Sequence, residues 1–258
     1  MSSLHAATLD LTEAIREVQL MAGITDRGAS TLRVARRGQA AWKPDPAVPF
    51  LERGLKGVKQ LSPEVAPAVQ PAVIGVTSVG RREGKTTLAM ALANSLAHDW
   101  GARVVLVDAD FATHSIGPEY GLGRRPGLSD VILGNVPLEA AVQRFGSAPL
   151  SVVTAGLAPI DAAWAARSEA LAAAVGTLKR WNTFVVLDLP AVEGSADGPV
   201  LAQHCDGVLV VARAGKTDRR DLERALLLLR DANLLGVVVN RYQSNVPRWA
   251  ERWLALAQ

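Results

Sequence analysis

Between about residue 70 and residue 242 the apolar positions follow two rhythms in turn. Short runs, PAVIGVTS, ARVVLVDAD, LSVVTAG, TFVVLDLP, CDGVLVVARAG and LLGVVVNRY, are rich in Val and Leu and lack a polar residue at every second position. Strands without that alternation are buried on both faces, as in a parallel sheet covered by helices. The stretches between them have helical spacing. In KTTLAMALANSLAHD, Leu88, Ala91, Leu92, Ser95 and Leu96 form one stripe, and over 217–232 Leu222, Ala225, Leu226 and Leu229 form another. An Ala-rich stretch over 162–180 is built of good helix formers, with Trp164 and Trp181 expected to anchor it. The pattern predicts an α/β fold, a doubly wound and mainly parallel sheet with helices on both faces.

The flanks read differently. Leu11, Ile15, Val18 and Ala22 recur at helical spacing, and six of the 14 prolines lie between Pro44 and Pro71, which opposes helix and marks an extended connector. Near the end Val246, Trp249, Trp253 and Leu256 share one face of an amphipathic helix. Three units are expected: a helical and Pro-rich arm over 1–70, an α/β domain over 71–242, and a C-terminal helix over 243–258. That last helix either docks on its own domain or lies in a membrane interface or partner groove.

Charge and composition narrow the classes. A net charge of +3 over 258 residues is too small to imply a nucleic-acid partner, and none is expected. Residues 27–59 carry eight basic against two acidic side chains, a local +6, so any attraction to anionic lipid or an acidic partner sits on the arm. The single Cys205 excludes an internal disulfide framework and a multi-cysteine zinc site, and reads as an inert core thiol. His98 and His114 lack metal-ligand spacing. The start MSSLHAATLDLTE has no leader-like apolar run, and no stretch approaches the roughly 18 to 20 apolar residues of a membrane span, so a cytoplasmic protein is expected.

The chemistry concentrates after the first buried run. There the chain passes from strand to loop to helix through Gly80, Arg81, Arg82, Glu83, Gly84, Lys85, Thr86 and Thr87. Such a loop turns backbone N–H groups toward a phosphate, and the helix N-terminus adds its positive end. Lys85 is placed to reach the β and γ phosphates, and Thr86 to offer its hydroxyl to Mg²⁺. The strict spacing G-x-x-x-x-G-K-[ST] is not met, because Val79 holds the first glycine position. Three carboxylates stand at expected strand ends: Asp108, Asp110 and Asp188. In open α/β sheets that edge binds ligands. Asp188 with Thr86 and phosphate oxygens suffices for Mg²⁺, leaving Asp108 as general base or a second metal contact.

With these residues in place the chain resembles the cytoplasmic catalytic domain of bacterial tyrosine kinases (BY-kinases) of capsule and exopolysaccharide export, within the MinD/ParA-like P-loop NTPases. The resemblance covers about residues 70–242. It rests on Thr77 to Thr87, on Val104 to Asp110 with its D-x-D, on Val185 to Pro190 with its D-x-P, and on DGVLVVARAGKTDRRDLERALLLL followed by LGVVVNRY. It implies ATP and Mg²⁺ as ligands, adenine close to Asn240 and Arg241, and catalytic carboxylates at Asp108, Asp110 and Asp188. It also implies a membrane-spanning regulator of polysaccharide chain length as partner, and a place at the inner face of the membrane.

Departures from the family pattern leave three activities open. Only Tyr120 and Tyr242 are present, so the usual autophosphorylated Tyr-rich tail is missing. Ala112 stands where a basic residue is usual, Gly80 stands at the MinD/ParA signature lysine, and Arg81-Arg82 replace a Pro-Gly pair. Those arginines either supply a cation to the phosphates or are solvated. The homo-oligomerisation motif E-x-x-R-x-x-R is matched only as Glu13, Arg16 and Gln19. The readings are a kinase or ATPase acting on the γ-phosphate, a degenerate kinase serving as a nucleotide-dependent adaptor, and a MinD/ParA-type positioning ATPase.

Overall fold

A computed structural model of the chain describes residues 70–241 and the two-residue strand Thr8–Leu9 (β1). The expected helix through Leu11 to Ala22, the Pro-rich connector, Tyr242 and the C-terminal helix lie outside the described residues. Strand β2 (Ala72–Ser78) leads into helix α1 (Lys85–His98) and then β3 (Val104–Asp108). Three short helices follow, α2 (Ile116–Glu119), α3 (Leu128–Ile132) and α4 (Leu138–Ala141). The hairpin of β4 (Gln143–Phe145) and β5 (Leu150–Val153) precedes α5 (Ala162–Arg167), α6 (Glu169–Trp181) and β6 (Phe184–Asp188). The chain then runs through α7 (Asp197–Ala202), β7 (Gly207–Arg213), α8 (Arg219–Leu228) and β8 (Leu234–Asn240).

The strands form one sheet in the order β1-β8-β7-β2-β6-β3-β5-β4. All neighbours are parallel except β4 and β5, which pair antiparallel at one edge. Because strand side chains alternate between faces, each inner strand feeds two cores. Val73, Val105, Val107, Val185, Leu187, Val208 and Val210 face α5, α6 and α8. Ile74, Val76, Leu106, Phe184, Val186, Leu209 and Val211 face α1. The doubly wound architecture is therefore the one that the two-sided apolar runs predict.

Helix ends follow side-chain chemistry. The Ala-rich stretch is two helices, because Ser168 adopts an extended conformation and its Oγ accepts from Leu171 N at 3.1 Å, capping α6. Asp161 caps α5 by accepting from Trp164 N, and Asp218 caps α8 by accepting from Asp221 N. The tryptophans do not anchor the stretch: Trp164 is 52% and Trp181 38% exposed. Cys205 precedes β7, with its thiol packed beneath Gly75 and its pKa pushed up by burial.

Leu92 is fully buried under the sheet, whereas Leu227 is 61% exposed. Leu92→Ala is expected to cost about 2–5 kcal/mol in urea unfolding, and Leu227→Ala to stay within about 0.5 kcal/mol of the parent. Equal losses at the two positions would contradict this assignment of the core.

Candidate functional site

At the C-terminal end of β2 the chain turns through Val79–Gly84 before α1 begins, braced by bonds within the turn and to the ends of β7 and β8. Val79 N donates to Val211 O at 3.1 Å, Ser78 Oγ to Gly80 O at 2.7 Å and Gly80 N to Glu83 Oε2 at 2.9 Å. Glu83, only 2% exposed, also accepts from Thr217 Oγ1 at 2.6 Å, and Lys216 Nζ donates to Arg81 O at 2.7 Å. The loop is thus tied to the segment between β7 and α8. Arg81 and Arg82 are both exposed. Arg82 has φ +63°, the left-handed conformation that glycine adopts most readily.

Gly84 carries the sharpest constraint. Its φ is +106°, and a Cβ there would collide with the side-chain amide nitrogen of Asn240. That amide donates to Glu83 O at 2.8 Å, so the end of β8 props the loop from behind. Unlike α5, α6 and α8, helix α1 has no side-chain cap. Among the described residues no acceptor meets the backbone N–H groups of Gly84, Lys85, Thr86 or Thr87. Four open amides at the positive end of a helix, with a lysine beside them, suit the oxygens of a phosphate group.

Lys85 is buried, with its ammonium 2.9 Å from Asp110 Oδ2, 3.2 Å from Asp188 Oδ1 and 3.4 Å from Thr86 Oγ1. Thr86 Oγ1 donates to Asp188 Oδ2 at 2.7 Å. Asp188 and Asp108 are register partners on β6 and β3, which places them side by side. Asp108 accepts from Asp110 N at 3.2 Å and from Ile116 N at 3.0 Å. The sheet edge therefore gathers Lys85, Thr86, Asp108, Asp110 and Asp188. Thr87 is exposed one residue further along α1, and Arg241, also exposed, donates its N–H to Asn240 Oδ1 at 2.8 Å.

Charges in so dry a place shift one another. Burial lifts the Asp108 carboxyl to about 7, aided by the neighbouring Asp188 charge. Burial likewise lifts Asp188, to about 6, although Lys85 and the Thr86 hydroxyl pull it back. Burial would raise Asp110 too, but the Lys85 charge and hydrogen bond outweigh it and hold this carboxyl below its usual range. Lys85 is raised: Asp188 and Asp110 more than offset its desolvation, so it stays cationic at neutral pH. Two carboxyls of one cluster are thus pushed in opposite directions, one toward proton exchange near pH 7 and one toward a fixed anion.

No group of three His, Cys, Asp or Glu side chains forms a metal cage among the described residues. The Thr86 hydroxyl beside the Asp188 carboxylate is a pair of hard oxygen donors, which fits a small cation that keeps water and phosphate oxygens as its other ligands. His98 and His114 are both exposed.

Residues 74–252 match the CobQ/CobB/MinD/ParA nucleotide binding domain. The chain belongs to this family. Its relatives include the tyrosine-protein kinase YwqD of Bacillus subtilis (strain 168), 30% identical over 167 residues that cover 64% of this chain and 70% of that one. Another is the tyrosine-protein kinase CpsD of Streptococcus agalactiae serotype III (strain NEM316), 25% identical over 182 residues covering 69% and 78%. Among solved structures, the VpsO kinase domain superposes with a TM-score of 0.63 at 27% identity, over 67% of this chain and 86% of that one. This is a BY-kinase-like P-loop domain that binds nucleotide. Among the described residues no helix is long and apolar enough to cross a membrane.

The structure brings the expected Lys85, Thr86, Asp108, Asp110 and Asp188 together at one sheet edge, and it commits the Glu83 carboxylate to Gly80 and Thr217. Thr217 and Lys216 were missed, since the only local signal is a polar turn before α8.

Asp108 and Asp188 bind protons in the folded state that the unfolded chain has already released, because their folded pKa values lie above the ordinary carboxylate range. The stability they contribute is present at low pH and is lost as pH rises through about 6 to 7. The urea midpoint of nucleotide-free protein is expected to fall from about pH 5 to about pH 7.5, and Asp188→Asn to flatten that slope. A midpoint that climbs with pH across this window would contradict the assignment.

Proposed function

We propose that the protein is an ATP- and Mg²⁺-dependent tyrosine kinase of capsule or exopolysaccharide export, working beside a membrane-spanning regulator of polysaccharide chain length. The reading assigns residues 71–242 as the catalytic domain. The observation that carries it is the Lys85 ammonium fixed between Asp110 and Asp188, directly after a glycine loop whose amides are open.

In this reading the amides of Gly84 to Thr87 and Lys85 hold the phosphate oxygens, and Asn240 and Arg241 stand on the adenine side. Thr86 and Asp188 are the residues that would hold Mg²⁺. When bound, that ion supplies neutralisation of the charge on the phosphates. Asp110 keeps Lys85 in place and remains an anion. Asp108 is the general base, since a carboxyl near 7 is matched to taking a proton at neutral pH, and its two backbone N–H bonds fix its direction. The acceptor oxygen forms a bond to the γ-phosphorus, the bond from that phosphorus to the bridging oxygen breaks, ADP leaves, and the hydroxyl proton passes to Asp108. Phosphoryl transfer asks mainly for such positioning and charge stabilisation.

Tyr120 is not the acceptor: it is 6% exposed, its hydroxyl accepts from Asn94 Nδ2 at 2.8 Å, and burial pushes its pKa to about 12. The acceptor in this reading is Tyr242 or a tyrosine of another chain.

ATP with Mg²⁺ at about 100 times its dissociation constant is expected to stabilise the protein by about 2.7 kcal/mol in a thermal melt. Lys85→Met is expected to keep the fold and lower phosphate transfer by on the order of 100-fold or more. Transfer by Lys85→Met equal to that of the parent, read with an anti-phosphotyrosine probe and a coupled ADP assay, would reject this site.

A further inference from the structure

A second hollow opens on the same sheet edge, over the ends of β3 and β5. It has a volume of about 300 Å³, with Asp108 and Thr154 in its wall, Pro118 and Leu157 as apolar sides, and Arg124 and Arg125 at its rim. Its place follows from the strand order. Asn240 ends β8, two strands to one side of the glycine loop on β2, while β3 and β5 lie to the other side beyond β6. A nucleotide with its base toward β8 and its phosphates on the loop points its terminal phosphate toward β6 and β3. The hollow continues from there, sharing Asp108 with the phosphate site.

Three features state what would fill it. Its volume is at the lower end for ligand sites, enough for an aromatic side chain and its flanking backbone but small for a nucleotide. The Thr154 methyl faces Gly117 in the lining while its buried hydroxyl turns toward Gly127, so the wall there is apolar and suits a ring. Arg124 and Arg125 are both exposed, and neither meets a carboxylate among the described residues. Adjacent unpaired guanidinium groups at the mouth of a hollow favour carboxylates on whatever enters.

We propose that this hollow takes the phosphate acceptor, a tyrosine of another chain set in an acidic segment, with Arg124 and Arg125 reading the acidic flanks. The inference rests on the phosphoryl-transfer reading above and adds the class of its substrate. Tyr120 is buried, and Tyr242 follows Arg241 in a stretch without acidic residues up to Glu251, so neither tyrosine of this chain matches the rim.

The test is binding by the full chain of two fluorescent probes, a random Glu–Tyr copolymer and a Lys–Tyr copolymer of equal length, with a non-hydrolysable ATP analogue and Mg²⁺ present. The Glu–Tyr copolymer is expected to bind more tightly. Reversing both charges (R124E with R125E) is expected to weaken it by on the order of tenfold or more, and R124K with R125K to restore most of the loss. Equal affinity for the two copolymers, or no effect of charge reversal, overturns the inference. Affinity for the ATP analogue is measured on the same samples. Failure of the analogue to bind the parent chain sinks the proposed function, while analogue binding without copolymer preference sinks only the acceptor assignment.

Discussion

One buried ammonium organises the sheet edge. Lys85 sits among the carboxylates of Asp108, Asp110 and Asp188, and a cation there is what permits so many acids to be buried together. Unpaired buried charges are costly enough that they neutralise instead. The cluster shows the rule in graded form. Asp110, in contact with the lysine, is held ionised; Asp188, shared with Thr86, rises to about 6; Asp108, outside the lysine's contacts, rises to about 7. Burial pushes all three carboxyls upward, and the extent to which Lys85 offsets it separates the one held ionised from the two that rise.

The loop before the lysine is the complementary constraint. Gly84 must be left-handed and without a side chain, because Asn240 comes from the far end of the domain to hold the carbonyl of Glu83. Glu83 in turn spends its carboxylate on Gly80 and Thr217. These bonds fix the loop without using the amides of Gly84 to Thr87. An open set of donors held by a rigid frame is the condition for binding an anion without reorganising the protein around it. The same frame connects the loop to β7, β8 and the start of α8.

Much of this was legible in the sequence, for a physical reason. Parallel strands buried on both faces leave unbroken apolar runs, and a residue such as Asp188 or Asp108 at the end of such a run can only be at the sheet edge. Lys85 and Thr86 follow from the strand-loop-helix context. What escaped depends on long-range or subtle contacts. The Glu83–Thr217 bond joins residues 134 apart, so nothing near Glu83 separates a brace from a ligand. Asp108 is oriented by Asp110 N and Ile116 N, a turn whose shape the D-x-D spacing does not encode. The break in the Ala-rich stretch was written as Ser168 followed by Glu169, a helix-start signal masked by the helix formers on either side. The edge strand Gln143–Phe145 is three residues long and has no rhythm to detect. The exposure of Trp164 and Trp181 shows that an aromatic beside a helix is not evidence of an anchor.

In the proposed function the open amides of α1 and Lys85 are the seat of the nucleotide phosphates. Calorimetric titration of ATP with Mg²⁺ into the parent chain and into Gly84→Ala tests it at the atom on which the loop turns. Saturable one-site binding is expected for the parent, and a loss of at least about tenfold in affinity, equivalent to about 1.4 kcal/mol, for the variant. Equal affinities in two equally folded proteins would contradict it.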